Sequence, residues 1–251
     1  MRITIIGTGN VATVLGRLFK AGNHQIVSVR GRNPEKTMAL AGELGAKPGS
    51  IQQATAVETD LYIIALTDAA LQESVMYFNF GNTPVIHTAG SVSRDVLQTV
   101  SAHYGVLYPL QTLKKELTHI PEIPFLVDAN SDELMQILTK LTASVSSSMF
   151  KTDDQGRLKL HVAAVLVNNF TNHLYTMASA FCTEEHVPFD LLKPLILETA
   201  TRVLHANPAD IQTGPAIRKD ITTLDKHLRI LNQHPKLRTM YLRMTDSIMN
   251  P

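Results

Sequence analysis

The chain has 251 residues, of which 44% are hydrophobic, and its 23 lysines and arginines nearly balance its 22 aspartates and glutamates. This apolar content argues against intrinsic disorder, and the near-neutral charge argues against a protein that binds nucleic acids or acidic surfaces. The single cysteine, Cys182, excludes an intramolecular disulfide framework and a cysteine-ligated zinc or iron–sulfur site.

The sequence also carries features that predict its compartment. Residues Met1 to Ile6 show neither the basic region nor the cleavage site of a signal peptide. The longest apolar run of the carboxy-terminal half, Val162 to Val167, is far shorter than the roughly 20 residues that cross a bilayer. With a lone cysteine, these features predict a cytoplasmic protein without a membrane partner.

Up to about residue 150, short β-branched runs alternate with helical stretches. Most of these runs are continuously apolar, as are strands that are covered on both faces. The alternation predicts an α/β domain built on a doubly wound parallel sheet. The predicted strands are Arg2–Ile6, Gln25–Arg30, Leu61–Leu66, Pro84–His87, Gly105–Tyr108, Pro124–Asp128 and Ser146–Lys151.

From about Gln155 onward the β-branched runs stop, and helical patterns predict a smaller all-α domain. We therefore expect one domain over residues 1–153 and a second over residues 154–251. Several prolines stand where a first helical turn tolerates a missing N–H group, which supports the helix boundaries. The predicted helices are Arg157–Glu185, Pro188–His205, the weaker Pro208–Thr213, Pro215–Leu231 and His234–Met249.

The first strand is followed by a glycine-rich turn and an amphipathic helix. Gly7 permits the tight turn, Gly9 lets the backbone approach a diphosphate, and Ala12 is small enough for the helix to pack on the strand. The free N–H groups of the helix N-terminus favour a phosphate there. The pattern predicts a dinucleotide site, and the alternative is a structural turn without a ligand. The expected cofactor contacts here are Gly7, Gly9, Asn10 and Val11.

The end of the second strand indicates which dinucleotide would bind. An NAD site usually places an acidic residue there for the ribose 2′-hydroxyl, but residues His24 to Asn33 contain no acid. Arg30 and Arg32 stand in its place, and a guanidinium group matches a 2′-phosphate. We therefore predict NADP(H) as the cofactor. The alternative is a pair of solvated surface arginines.

Several motifs resemble known families. The turn Gly7-Thr-Gly-Asn10 with Arg32-Asn-Pro-Glu-Lys36 is similar to the superfamily of pyrroline-5-carboxylate reductases, 6-phosphogluconate and β-hydroxyacid dehydrogenases, and deazaflavin-linked NADP oxidoreductases. Three further motifs, His87-Thr-Ala-Gly-Ser91, Tyr108-Pro-Leu-Gln-Thr112 and Thr213-Gly-Pro-Ala-Ile-Arg-Lys-Asp220, resemble a bacterial family that has a Rossmann-like domain followed by a helical domain of unknown function. The resemblance implies an NADP oxidoreductase. That family usually has His where Tyr108 stands and Gly where Lys219 stands.

Residues that follow the strands of the predicted sheet would surround the nicotinamide, because ligands of open α/β sheets bind at the carboxyl edge. We expect the backbone of Leu66 and Thr67 to line the nicotinamide ribose and Asp68 to cap the next helix. Ser91 and His87 are expected to donate hydrogen bonds to the substrate. The alternative for Ser91 and its neighbour Ser93 is the capping of a helix.

In related dehydrogenases, a lysine four residues before an asparagine on a long helix acts as the proton donor. Here Ala164 and Val165 occupy those positions before Asn168 and Asn169, so the lysine is absent. Asn169 is predicted to face the substrate, with a buried, satisfied amide as the alternative. His161 is a further candidate for the general acid, and the alternative is a surface histidine.

The motif of residues 213–220 places two cations, Arg218 and Lys219, and the carboxylate of Asp220 on one predicted helix. Arg218 would bind a substrate carboxylate in bidentate fashion, and Asp220 would orient it. The alternative is an ordinary solvated face.

Together these residues predict an NADP(H)-dependent oxidoreductase. Domain 1–153 would bind the cofactor, and domain 154–251 would contribute substrate contacts, with the active site between the sheet edge and the helical domain. Hydride would pass between the nicotinamide and a small C=O or C=N substrate. Because the helical domain has little core of its own, we expect a homodimer, with no metal and no nucleic acid. The alternative is a sensor or scaffold that binds NADP(H) without turnover. The predicted catalytic residues are Asn169, Ser91, His161 and Arg218.

Overall fold

The computed structural model describes residues 1–117 and 119–251, without the side chains of Thr55 and Ala56. Two compact units make up the chain, Met1–Val165 and Leu166–Pro251. The first unit therefore includes residues 154–165, which the sequence analysis places in the helical domain.

The first unit is built on an eight-stranded sheet with the order β3-β2-β1-β4-β5-β6-β7-β8. Neighbouring strands are parallel except for the antiparallel pair of β6 and β7. This order confirms the predicted doubly wound sheet, which here carries two antiparallel strands at one side. The strands are β1 (Arg2–Ile6), β2 (Gln25–Gly31), β3 (Lys47–Ser50), β4 (Leu61–Ile64), β5 (Val85–His87), β6 (Tyr104–Pro109), β7 (Phe125–Ala129) and β8 (Met149–Lys151).

Alternate residues of the central strands feed two hydrophobic cores. In β4, Leu61 and Ile63 belong to one buried cluster, whereas Tyr62 and Ile64 belong to another. Successive side chains of a strand point to opposite faces, so the two clusters cover the two faces of the sheet. Burial on both faces explains why these strands are continuously apolar in sequence.

The helices of the two units follow the predicted pattern only in part. The α-helices of the first unit are α1 (Asn10–Ala21), α2 (Pro34–Leu44), α3 (Asp68–Ser74), α4 (Asp132–Ala143) and α5 (Asp154–Ala164). A π-helical segment covers Val165–Phe170, and the helices after it are α6 (Thr171–Glu184), α7 (Lys193–Arg202), α8 (Ile221–Ile230) and α9 (Pro235–Met249). The all-α character of the carboxy-terminal unit is thus confirmed.

Two helix predictions were wrong. Residues 208–213, predicted as a weak helix, form turns. The helix predicted to begin at Pro215 begins only at Ile221, because Lys219 adopts a positive φ of 54°, which interrupts a helix.

The helical unit buries few of its apolar side chains within itself. Its buried hydrophobic residues are Cys182, Ala216, Leu224 and Leu231. Many of its large apolar side chains are exposed, among them Leu191 and Leu204 at 75% and 76%. The unit therefore has the small internal core that its sequence predicts.

Candidate active site

The turn after β1 has a geometry that requires glycine. Gly7 has a φ of 131°, and its N–H donates a 2.8 Å hydrogen bond to the carbonyl oxygen of Arg30. A Cβ atom at this position would overlap the carbonyl group of Ala65, which follows β4. The predicted sequence of strand, tight turn and helix is therefore confirmed, and Gly7 brings the backbone of three strands close together.

The N-terminus of α1 is open. Gly9 is its N-cap residue, and the first turn contains neither a side-chain cap nor an acidic residue. Apart from Gly9 itself and its two neighbours in the chain, no described atom lies within 4 Å of the position that a Cβ of Gly9 would take. Helix α1 thus combines unsatisfied N–H groups, a positive dipole end and free space, which is the arrangement that binds a phosphate group.

The next two predicted contacts, Asn10 and Val11, begin the same helix. The Asn10 side chain accepts a 3.4 Å hydrogen bond from the backbone N–H of Lys115. Val11 is partly buried and packs against one of the two hydrophobic cores, the cluster that includes Leu61 and Ile63. The backbone N–H groups of Asn10 and Val11, rather than their side chains, are therefore suited to bind a diphosphate.

The two predicted arginines lie in different surroundings. Arg32 is exposed beyond the end of β2 and lines a cavity of about 250 Å³ together with Gly31, Thr37 and Ser50. Arg30 lies within the strand, and its guanidinium group packs on the backbone of Gly49. The two arginines therefore line different concave surfaces.

Burial lowers the pKa of Arg30, and its Nε has no hydrogen-bond partner among the described residues. Arg30 lines a concave surface with Arg2, Ser28 and Glu58. Side chains within a strand point to a fixed face of the sheet, so the sheet determines the direction of the Arg30 side chain. Arg32 follows the strand, and its exposed side chain is accessible to a ligand.

The residues after β4 differ from the prediction at one point. Leu66 is partly buried and Thr67 exposed, as expected for residues that line a ligand. The N-cap residue of α3 is Thr67, so the prediction that Asp68 caps this helix was wrong. The Asp68 carboxylate instead accepts a hydrogen bond from the hydroxyl group of Ser91, which links the ends of β4 and β5.

Ser93, rather than Ser91, performs the capping role. It precedes the 3₁₀ turn Arg94–Leu97, and its Oγ accepts a 3.2 Å hydrogen bond from the N–H of Asp95. The predicted site residue Ser91 is exposed at the sheet edge.

His87 was predicted to contact the substrate, and this prediction was wrong. Its side chain is completely buried, and its Nδ1 accepts a 3.1 Å hydrogen bond from the N–H of Ala89. The proton therefore resides on Nε2, which faces the carbonyl oxygen of Ser93 at 3.3 Å. Burial, aided by the positive charge of Arg157, lowers the pKa of His87 to about 4. His87 is a neutral, structural histidine that shapes the loop after β5.

At the same edge, the predicted residue His161 pairs with Tyr108, to which the sequence analysis assigned no role. The hydroxyl group of Tyr108, near the end of β6, lies 2.8 Å from Nδ1 of His161 on α5. Both residues are partly exposed. Gly90 packs on this pair, since a Cβ there would lie 3.0 Å from both rings. The position of Tyr108 at the carboxyl end of a parallel strand was the signal that could have identified it.

The base of α5 is tied to the loop after β5. Asp153 caps the helix by accepting a 2.7 Å hydrogen bond from the N–H of Gly156. Arg157 is 1% exposed and donates hydrogen bonds to Asp154 at 2.6 Å and to the carbonyl oxygen of Val92 at 2.5 Å. These contacts place His161, one turn further along α5, over the sheet edge.

The other two predicted catalytic residues, Asn169 and Arg218, belong to the helical unit and are exposed. Asn169 lies in the π-helical segment, a local structure that is frequent at functional sites. Arg218 lies in a turn rather than on a helix, so the prediction of a shared helix was wrong. Asp220 caps α8 by accepting a 3.1 Å hydrogen bond from the N–H of Thr223.

Two family models match the chain. Residues 2–83 match the family described as NADP oxidoreductase, coenzyme F420-dependent, and residues 123–248 match a domain of unknown function, DUF2520. A crystal structure of a candidate NADP oxidoreductase from Bacteroides fragilis is 35% identical, covers 100% of this chain and 98% of its own, and has a TM-score of 0.91. The chain belongs to the DUF2520 family. The predicted class, an NADP oxidoreductase domain followed by a helical domain of unknown function, is confirmed.

More distant structures share the fold. A 1-pyrroline-5-carboxylate reductase from Streptococcus pyogenes is 17% identical over 100% of this chain and 99% of its own, with a TM-score of 0.66. A reductive aminase from Aspergillus terreus, crystallised with NADPH, is 20% identical over 98% and 94%, with a TM-score of 0.72. Among curated proteins there is no significant match.

Two kinds of feature are absent from the described part of the chain. Its helices include none with the length and apolar character of a membrane span. Its histidine, cysteine and acidic side chains form no group of three or more that is suited to a metal ion.

Proposed function

We propose that this family member is an oxidoreductase that transfers hydride between NADP(H) and a small substrate with a C=O or C=N bond. The observation that carries the proposal is the open N-terminus of α1, where Gly9 leaves space and unsatisfied N–H groups for a diphosphate. Bound NADPH would supply the hydride at its nicotinamide ring.

The residues present fit this cofactor. Gly7, Gly9 and the first N–H groups of α1 would hold the diphosphate. Arg32, which lines the cavity beyond β2, would bind the 2′-phosphate. Leu66 and Thr67 would lie beside the nicotinamide ribose, because β4 is the strand next to β1 at the carboxyl edge.

Substrate contacts are proposed at the same edge of the first unit. Ser91 and His161 follow or cover the ends of β5 and β6 and are accessible. Asn169 and Arg218 are exposed side chains of the helical unit, and their contact with the substrate remains a prediction from the sequence.

The preference for NADP(H) can be tested at Arg32. We expect Arg32→Ala to weaken NADPH binding by about 10- to 100-fold, because a charge-assisted hydrogen bond contributes about 1.5–3 kcal/mol. Affinity for NADH, which lacks the 2′-phosphate, should stay within about twofold of wild type. Isothermal titration calorimetry with both nucleotides measures the two effects. Similar affinities of the wild-type protein for NADPH and NADH would contradict the role of Arg32.

A second candidate function is a sensor or scaffold that binds NADP(H) without turnover. It is favoured by the absence of a lysine at Ala164 and Val165. The two functions differ in NADPH oxidation with a panel of keto acids, aldehydes and cyclic imines. Tight binding without oxidation of NADPH across the panel would support the sensor.

We also propose a homodimer, in the cytoplasm, on the composition of the helical unit and the single cysteine. The exposed apolar side chains of the π-helical segment, of α7 and of the 3₁₀ turn that precedes α7 exceed what a monomer usually leaves in water. Light scattering after size exclusion should give twice the chain mass of 27.6 kDa. A monomer at micromolar concentration would contradict this proposal. The exposed side chains concerned are Leu166, Val167, Phe170, Leu191, Leu195 and Leu197.

A further inference from the structure

The hydrogen bond between Tyr108 and His161 joins a phenol and an imidazole at the carboxyl edge of the sheet. We infer that Tyr108 donates the proton that the substrate oxygen or nitrogen gains during reduction, and that His161 returns a proton to the phenol oxygen through Nδ1. This inference rests on the proposed function.

Three neighbouring groups at this edge, those of Ser91, His87 and Asp68, have no proton free for a substrate. The hydrogen of the Ser91 hydroxyl group is donated to Asp68, and His87 is buried with both ring nitrogens engaged. The Asp68 carboxylate, when ionised, accepts hydrogen bonds and has no proton to give. Among the described residues that these contacts bring to the strand ends, Tyr108 and His161 are left as carriers of a transferable proton.

The direction of their hydrogen bond decides which group donates outward. The hydroxyl group of Tyr108 has a single hydrogen, which is unavailable to a substrate while it is donated to Nδ1 of His161. When Nδ1 carries a proton, the bond reverses and the imidazole donates to the phenol oxygen. The phenol hydrogen is then free to point to a substrate atom. Protonation at Nδ1 of His161 therefore turns Tyr108 into a donor.

The environment favours the protonated phenol. Burial raises the pKa of Tyr108, and the negative charge of Asp68 adds to the rise, while the positive charge of Arg157 opposes it. The phenol is thus a neutral acid at neutral pH. The two partners of the pair remain partly exposed.

The step balances in atoms and charge. The substrate carbon gains hydride, supplied by NADPH, and the π-electron pair of the C=O or C=N bond moves to the heteroatom. The O–H bond of Tyr108 breaks, and a new O–H or N–H bond forms on the substrate. The phenolate oxygen then takes the proton from Nδ1 of the doubly protonated His161 ring, so the N–H bond breaks as the phenol O–H bond forms again. The neutral imidazole that is left regains a proton from an acid in the solvent.

The first test needs no substrate. In ¹⁵N-labelled protein, Tyr108→Phe should change the chemical shifts of the His161 ring nitrogens, because Nδ1 loses its partner. Tyr104→Phe is the matched control, since Tyr104 lies at the start of the same strand and should leave these signals unchanged. Unchanged His161 signals in Tyr108→Phe would overturn the inference.

The second test measures NADPH oxidation with the panel of carbonyl and imine compounds. We expect Tyr108→Phe to lower the rate by about 100-fold or more, as for the loss of a general acid, with NADPH affinity within about threefold of wild type. We expect His161→Gln to lose about tenfold and to flatten the pH profile of the rate, because glutamine does not return a proton.

Two outcomes separate the hypotheses. Turnover that survives in Tyr108→Phe at half of the wild-type rate would overturn the role of Tyr108 and leave the proposed function in place. Failure of the wild-type protein to oxidise NADPH with any compound would contradict the proposed function itself, and the proton-donor role with it.

Discussion

Replacing Gly9 with serine is expected to weaken NADPH binding about 100-fold while the protein stays as stable as wild type. Gly9 is the N-cap residue of α1 with a φ of −83° and a ψ of −174°, which serine adopts readily at this position. Its hydroxyl group would accept a hydrogen bond from a first-turn N–H and fill the space that a diphosphate needs. The substitution therefore satisfies the helix and blocks the ligand.

Thermal unfolding and calorimetry with NADPH measure the two effects separately. Gly7→Ala is the matched comparison, because it should destabilise the fold at the neighbouring turn, whereas Gly9→Ser should leave the stability unchanged. Its Cβ would overlap the carbonyl group of Ala65, and its φ of 131° is one that an L side chain rarely adopts. We expect this variant to lose at least about 2 kcal/mol of unfolding free energy. Wild-type NADPH affinity in Gly9→Ser would contradict binding of the diphosphate at α1.

The parts of the fold that the sequence predicts are those specified by local patterns. Strands such as β1 and β4 are buried on both faces, so each appears as an apolar run of the right length. The turn at Gly7 and the amphipathic α1 are equally local, since both depend on the spacing of a few residues. These elements were predicted close to their observed bounds.

Strand β3 shows what such patterns miss. Its residues, Lys-Pro-Gly-Ser, have low strand propensity and are mostly exposed. The strand exists because its backbone pairs in parallel with β2 at the sheet edge, from Ser28 opposite Lys47 to Gly31 opposite Ser50. The reversed direction of β7 likewise depends on the connection that precedes it rather than on its own residues.

The residues of the candidate site likewise fall into those that local sequence patterns predict and those that only the folded structure reveals. The glycine turn was predictable because its function depends on adjacent residues. Tyr108 and His161 are separated by 53 positions, so only the packing of α5 on the sheet reveals that they meet. His87 follows an apolar strand just as Ser91 does, and its complete burial depends on how the following loop folds back.

The buried imidazole of His87 should make the stability of the protein fall between pH 6.5 and pH 4. Burial lowers its pKa in the native state from 6.5 to about 4, so the native protein excludes a proton that the unfolded chain accepts. The stabilising contribution is complete above pH 6.5 and is lost as the pH falls through the native pKa. At about 1.36 kcal/mol per pKa unit, the loss approaches about 3 kcal/mol.

His87→Asn isolates this contribution, because asparagine keeps an acceptor for the N–H of Ala89 and does not titrate. The variant should be less stable than wild type at pH 7, where it loses the bond to Ser93, but should lose less stability on acidification. Carboxyl groups with lowered pKa values, such as Asp60 and Glu43, contribute acid sensitivity to both proteins and cancel in the difference. Urea unfolding at pH 7, 6, 5 and 4.5 measures the two slopes. Parallel slopes would show that His87 takes up a proton in the native state as readily as in the unfolded chain, which contradicts its burial as a neutral imidazole.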